Sequence, residues 1–321
     1  MATGRSGLVR RAAASLKQLE YRVTAFLAVG LLRIFRLVPP DRAIDFAARM
    51  ARRIGPWTGR HRVARTNLRL AFPDKSDAEI EAIALDMWAN MGRLAAEYVY
   101  LDRLFDFDAT SGKIGRVEVV GEDLFARIRH DGRAKIMVTA HLGCFELLPT
   151  AAQAYGLHMA SLFRPPNNPY IADEILKLRK SAKTELVASR SGVAFSLARI
   201  LARGGTIGAL VDQKFHGGLP TTFFGRACET SPLVPRLARQ YDCDVYAGRC
   251  VRLPGNRYRM ELIDRLDLPR NAEGDVDATA TAQMLNDLVE SWIREEPGQW
   301  MWFHRRWEIR SAKAKQQAAT G

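Results

Sequence analysis

The feature that most limits what this chain can fold into is an alternation across its middle third. The runs "KIMVTA" (135–140), "HMASLFR" (158–164) and "TIGALVDQ" (206–213) are largely apolar instead of apolar at every second position. That is the mark of strands covered on both faces. Between them, "FELLPTAAQAYG", "NPYIADEILKLRKSAK" and "GVAFSLARILARGG" have helical character. "PLVPRLARQYD" predicts another helix, "CDVYAGRCVR" and "RYRMELID" an antiparallel pair, and "ATATAQMLNDLVESWIREEP" a last amphipathic helix. The expected fold is α/β, with a mostly parallel central sheet flanked by helices. Upstream, "DRAIDFAARMARRIG" predicts a helix with Asp41 as its N-cap and Gly55 as its stop. Ser76 and Glu79 form a capping box for the helix that follows, and 104–118 reads as a loop.

In a sheet of this kind the ligand crevice lies beyond the carboxyl ends of the strands. Three predicted strands end in polar types: His141, Arg164, and the pair Asp212-Gln213. The first lies within "TAHLGCFEL" (139–147), which sets Glu146 five residues after His141, about one turn into the following helix. A carboxylate on one ring nitrogen fixes the tautomer and leaves the other nitrogen to take a proton from a hydroxyl. That is the base and orienter of a triad without a protein nucleophile, and it suits direct acyl transfer to a hydroxyl. The same spacing also fits a helix cap whose carboxylate answers the dipole. Spacing does not choose between them. Cys144 offers a rival nucleophile, although Leu142, Phe145 and Leu147 around it favour a packed thiol. No third metal ligand accompanies His141 and Glu146. The four cysteines show no CxxC and no zinc spacing, so they read as buried, reduced thiols.

Charge separates the two ends of the chain. Residues 1–70 hold 15 Lys and Arg against three acids, so twelve of the thirteen net positive charges lie there. Within "YRVTAFLAVGLLRIFRLVPP" (21–40) the unbroken apolar run is ten residues, short of the ~20 a simple membrane span needs. At helical spacing Leu27, Leu31, Ile34, Phe35 and Val38 share one face, and Arg22, Arg33 and Arg36 share another. This is the pattern of a helix lying in the lipid headgroup layer, with a tilted span as the other arrangement. The expected organisation is a basic arm and membrane-anchoring helix over 1–40, an enzyme domain over 41–310, and a flexible tail over 311–321.

In "HLGCFE" the chain resembles the His-x4-Asp/Glu signature of the late acyltransferases of lipid A biosynthesis, the lauroyl/myristoyl transferase family. The likeness extends to "HRVARTNLRLAFPDKSDAEIEAIALDMWANMGRLAAE" (61–97), "FRPPNNP" (163–169), "VDQK…TTFFGRACETSPLVPRLARQYD" (211–242), "RYRMEL" and "PGQWMWFHRRW" (297–307). It covers roughly residues 20 to 310. The resemblance implies a glycerol-3-phosphate-acyltransferase-like fold with an N-terminal hydrophobic anchor, at the inner membrane with its active site on the cytoplasmic side. It implies transfer of an acyl chain from acyl carrier protein to the hydroxyl of a 3-hydroxyacyl chain on a lipid A precursor. No cofactor is then expected beyond the carrier thioester. His141 would be the base and Glu146 its partner, with Arg164, Asn168, Asp212, Gln213 and Arg305 on the substrates. The N-terminal segment departs from the family pattern because Arg33 and Arg36 break it.

Other features bear on the partners. Arginines suit both an acidic carrier protein and a phosphorylated glycolipid, and the basic arm suits anionic membrane lipids. Four of the six tryptophans follow residue 291, and Trp300, Trp302 and Trp307 flank Arg305 and Arg306 as at a lipid–water boundary. The cations of "RQYDCDVYAGRCVR" look like an ordinary solvated face. A different membrane lipid acceptor would use the same chemistry. A nucleic-acid-associated protein is the alternative from another class, but no zinc-finger, helix-turn-helix or RNA-recognition signature appears.

Overall fold

The computed structural model describes residues 3–106, 115–163, 168–181, 185–188 and 192–307. Four helices come first: α1 (Thr3–Phe35), α2 (Pro40–Ile54), α3 (Gly59–Ala71) and α4 (Asp77–Leu104). The expected capping box opens α4: Ser76 Oγ accepts from the Glu79 N–H, and the Glu79 carboxylate accepts from the Ser76 N–H at 2.9 Å. Asp41 does not cap α2. The helix starts one residue earlier, at Pro40, whose fixed φ suits a first turn, and Asp41 lies inside that turn paired with Arg116. A single 3-10 turn over Gly55–Trp57 follows, where Gly55 lies against the Trp88 ring with no room for a Cβ.

The sheet then builds through β1 (Val117–Val120), α5 (Asp123–Ile128), β2 (Lys135–Thr139), α6 (Leu147–Ala154), β3 (Met159–Phe163), α7 (Pro169–Ser181), β4 (Glu185–Ala188), α8 (Val193–Leu201) and β5 (Thr206–Leu210). A hairpin of β6 (Lys214–Phe223) and β7 (Arg226–Thr230), α9 (Leu233–Tyr241), β8 (Asp244–Leu253), β9 (Arg257–Ile263) and α10 (Ala278–Glu295) complete it. Pro149 is tolerated because it falls in the first turn of α6, where its missing N–H would be unpaired in any case.

The seven-stranded order is β1-β9-β8-β2-β5-β3-β4, parallel throughout except at β8–β9. The expected parallel sheet and its antiparallel pair are thus both present. Strands β1, β4, β6 and β7 were not anticipated; β1 lies partly in the stretch expected to be a loop. Two layers of core cover the sheet faces. One gathers Leu68, Ile80, Met87, Leu285 and Trp300, the other Ile44, Tyr100, Phe125 and Met260. Among the described residues no helix is long and apolar enough to cross a membrane.

Two of the three arginines expected on the basic face have partners in the fold. Arg22 donates to Tyr170 Oη at 3.0 Å, and Arg36 pairs with Asp102 at 2.6 Å. Leu27 and Ile34 of the expected apolar face are exposed, while Phe35 packs on the core and its carbonyl accepts from Tyr100 Oη. The cations of "RQYDCDVYAGRCVR" are likewise not simply solvated. Arg249 is bridged between Glu261 and Glu295. Arg252 is buried in a two-pronged pair with Glu97, which also accepts from Tyr258 Oη. Strand β8 runs across the protein rather than along its surface, so its side chains need internal partners.

Candidate active site

Strands β2 and β5 are parallel neighbours with a register of Thr139 opposite Leu210. The bond from Val211 N–H to the Thr139 carbonyl continues the ladder past the strand ends. Two residues further on, at the same offset of 71, His141 meets Asp212. Asp212 Oδ1 accepts from the ring Nδ1 at 2.9 Å, and Oδ2 accepts from the His141 backbone N–H at 3.0 Å. Oδ2 also accepts from Trp300 Nε1 at 2.7 Å. The Gln213 side-chain amide stands 3.2 Å from Nε2. A proton on Nδ1, facing the carboxylate, leaves Nε2 with its lone pair, toward which that amide donates.

Burial alone would raise the Asp212 pKa. The neighbouring His141 charge and ring hydrogen bond, the Trp300 indole and the His141 N–H outweigh it and hold the carboxyl at about 2. Asp212 is therefore ionised whenever the imidazole needs it. The arrangement can accept a proton at Nε2 and stabilise the imidazolium that results.

The partner expected from spacing holds a different place. Glu146 is the N-cap residue of α6 and accepts from Tyr98 Oη of α4 at 3.0 Å, while Asp212 has the ring nitrogen. Glu146 and Phe145 line a narrow, mostly apolar pocket together with Phe125, Met137, Met159 and Gly208. The Phe145 ring is edge-on to His141 at 5.2 Å, so the pocket opens beside the imidazole. Its open volume is about 60 Å³. A long chain enters only as side chains swing aside, which the two methionines do easily.

The turn carrying His141 is clamped from behind. Gly143 adopts φ +56°, where any Cβ would overlap the Cys250 carbonyl, so only glycine fits. Its N–H donates to the Gln299 carbonyl at 3.0 Å, and Cys144 N–H donates to the Cys250 carbonyl at 3.0 Å. The Gln299 side chain bonds both backbone groups of Arg252, at 2.8 and 3.0 Å, and Asn90 Nδ2 donates to the Gln299 carbonyl at 2.8 Å. Gln299 was missed as a positioning residue because nothing in "PGQW" distinguishes a strap from a surface loop.

The other candidates divide. Asp212 and Gln213 sit on the imidazole. Asn168 does not face an open site: its amide donates to Tyr21 O and Thr24 Oγ1, and its oxygen accepts from the first N–H groups of α7. Arg305 is exposed. Arg164 lies outside the described residues. Cys144 is fully buried, and burial first, then Glu97, pushes its thiol well above the ordinary range, which argues against a thiolate nucleophile. All four cysteines are buried and free, as the sequence predicts.

The closing tryptophans do not mark a lipid boundary. Trp300 and Trp302 are 1% and 0% exposed, packed edge to face at 4.7 Å, and Trp307 Nε1 donates to the Phe223 carbonyl. Their rings fill the core between the β6–β7 hairpin and the sheet. Arg306 is buried with them, held by Thr230, Asn286 and the Glu229 carbonyl, and so is not open to a phosphate. His304 was also missed. It lies in the field of Asp212 and His141, and burial lowers its pKa more than Asp212 raises it. Among the described residues no cluster of three His, Cys, Asp or Glu could hold a metal.

Comparison with known proteins gives concordant matches. The family described as bacterial lipid A biosynthesis acyltransferase matches residues 11–309. The lipid A biosynthesis myristoyltransferase of Escherichia coli (strain K12) is 26% identical over 291 residues, 87% of this chain and 84% of that protein. The lipid A biosynthesis acyltransferase 1 of Shigella flexneri shows the same identity and coverage. The lipid A biosynthesis acyltransferase of Haemophilus influenzae is 20% identical over 86% of this chain and 85% of that protein.

Proposed function

The chain belongs to the bacterial lipid A biosynthesis acyltransferase family, and from that premise we propose that it moves a fatty acyl chain from acyl carrier protein to the hydroxyl of a 3-hydroxyacyl chain on a lipid A precursor. The observation that carries this reading is the His141–Asp212 pair at the mouth of an apolar pocket. The acceptor hydroxyl displaces the Gln213 amide from Nε2 and gives its proton to that nitrogen. The oxygen attacks the thioester carbonyl, and the tetrahedral intermediate expels the carrier's thiolate. That thiolate takes the proton back from His141, so the base is restored and no covalent acyl-enzyme forms. Asp212 keeps Nδ1 protonated and balances the imidazolium. The apolar pocket receives an acyl chain, and Glu146 at its mouth orients the groups that meet there. Arg164 supplies a planar cation to the phosphate-bearing substrates, and exposed Arg305 a second one.

The same reading places the protein at the inner membrane, on its cytoplasmic side. Leu19, Val23, Phe26, Leu27 and Ile34 of α1 are exposed, as an interfacial helix requires. The test is acyl transfer from acyl carrier protein to a detergent-dispersed lipid A precursor, with products read by mass spectrometry. Wild type should add one acyl chain and His141→Ala essentially none. A wild-type protein that leaves this acceptor unchanged but acylates another membrane lipid would move the assignment to that lipid. If Asp212→Asn keeps full turnover while Glu146→Ala matches His141→Ala, Glu146 is the orienter after all.

A further inference from the structure

Helix α2 carries a wider apolar arc than its packing uses. Ala43, Ile44 and Ala48 are buried, with α2 lying along α4 where Gly92 has no room for a Cβ against the Ala47 carbonyl. Phe46, Met50 and Ile54 extend the arc outward and are 50%, 37% and 45% exposed. Trp57, at the end of the following 3-10 turn, continues the strip and is 79% exposed. At 100° per residue, Arg42, Arg49 and Arg53 fall together along the outer edge of this strip. All three are exposed, and none has an ion-pair or hydrogen-bond partner among the described residues. Neighbouring acids are engaged elsewhere: Asp41 with Arg116, and Asp45 with the Asn256 amide at 3.2 Å.

We propose that this flank of α2 and the Trp57 turn form a second membrane-contacting surface, laying Phe46, Met50, Ile54 and Trp57 into the headgroup layer of an anionic bilayer. The inference rests on the reading that the acceptor is a membrane lipid, and it adds a contact separate from α1. An aliphatic and aromatic strip edged by unpaired arginines is complementary to acyl chains below and phosphates above. A second copy of the chain is a poorer occupant, because a two-fold contact would set like arginines against one another. The surface also connects to the site. Helix α2 packs on α4, whose Asn90 holds Gln299, and Gln299 holds the Gly143 turn beside His141. Docking α2 therefore fixes the height of the imidazole above the bilayer.

The experiment uses the full chain with vesicles of phosphatidylethanolamine and phosphatidylglycerol, and with phosphatidylcholine alone. Replacing Phe46, Met50, Ile54 and Trp57 by Ser should lower partition onto the anionic vesicles on the order of tenfold or more. Replacing Arg42, Arg49 and Arg53 by Gln should cost on the order of 10²-fold on anionic vesicles and little on phosphatidylcholine. In wild type, the emission lost in Trp57→Phe should be the part quenched by lipids brominated in their acyl chains, a readout independent of how the multiple variants fold. Turnover on detergent-dispersed acceptor should stay unchanged in both variants. Partition equal to wild type in both sets, or Trp57 emission untouched by the quencher, overturns the proposal. If wild type transfers no acyl chain while partition and quenching behave as stated, the reaction assignment fails and the membrane surface stands.

Discussion

Two regions of the molecule treat their polar groups in opposite ways. At the ends of β2 and β5, Asp212 accepts from His141 twice and from Trp300 once, with its own side chain buried. Along α2 and the turn after it, three arginines have no ion-pair or hydrogen-bond partner among the described residues, and four large apolar side chains are exposed. Internal satisfaction fixes geometry, which catalysis needs. A surface left unsatisfied has its complement outside the protein. The same chain thus separates the part that must be rigid from the part that must dock.

The largest effects should come from breaking the rigid region. His141→Ala and Asp212→Asn should each lower turnover on the order of 10²–10⁴-fold, measured by acyl transfer to detergent-dispersed acceptor. The double variant should be little worse than His141→Ala, because the two groups act as a unit. Additive losses would show that Asp212 works apart from the imidazole. Acid tests the same pair. With its carboxyl held at about 2, below the ordinary carboxylate value near 4, Asp212 adds stability that is complete above about pH 4 and lost as pH falls toward 2. Urea midpoints across that window should fall more steeply for wild type than for Asp212→Asn, and parallel curves would remove the effect.

Next in size is the strap. Gln299→Ala loses side-chain bonds to both backbone groups of Arg252, which should destabilise the fold by about 1–3 kcal/mol. Turnover should fall while KM holds, since the substrate surfaces are intact and the Gly143 turn is loosened. A rise in KM at constant turnover would place Gln299 on a substrate. On the docking side, Leu27→Ser with Ile34→Ser should weaken vesicle partition several-fold without touching turnover in detergent. The smallest effect belongs to Cys144→Ala, which should transfer acyl chains at nearly the wild-type rate. An inactive but folded Cys144→Ala protein would point to a covalent intermediate.

Most of the sheet was legible because its strands are apolar along their whole length, and β2, β3 and β5 lie where their runs predict. Strand β4 was missed because "ELVA" is too short to show a period. The β6–β7 hairpin was missed because "KFHGGLPTTF" mixes glycine, proline and polar residues. His141 and Asp212 were each visible as a polar residue at a strand end. Their contact was not, because it depends on β2 and β5 being neighbours, which strand patterns do not reveal. The spacing of Glu146 supplied a nearer partner and hid the distant one. The tryptophans misled for a related reason: amphipathic rings suit a membrane boundary and a protein core equally, and only their burial and hydrogen bonds in the fold distinguish the two.

The indole on Asp212 comes from 88 residues further along the chain, and Asn67 reaches the Trp302 carbonyl across 235. During synthesis the histidine emerges first, the aspartate follows, and the strap and indole come later still. Contacts of this span form slowly, after most of the chain is in hand. A ribosome-bound chain stopped before Gln299 therefore holds the base and its carboxylate but not the parts that aim them. The arrangement around His141 is completed only once residues 299 and 300 have joined it.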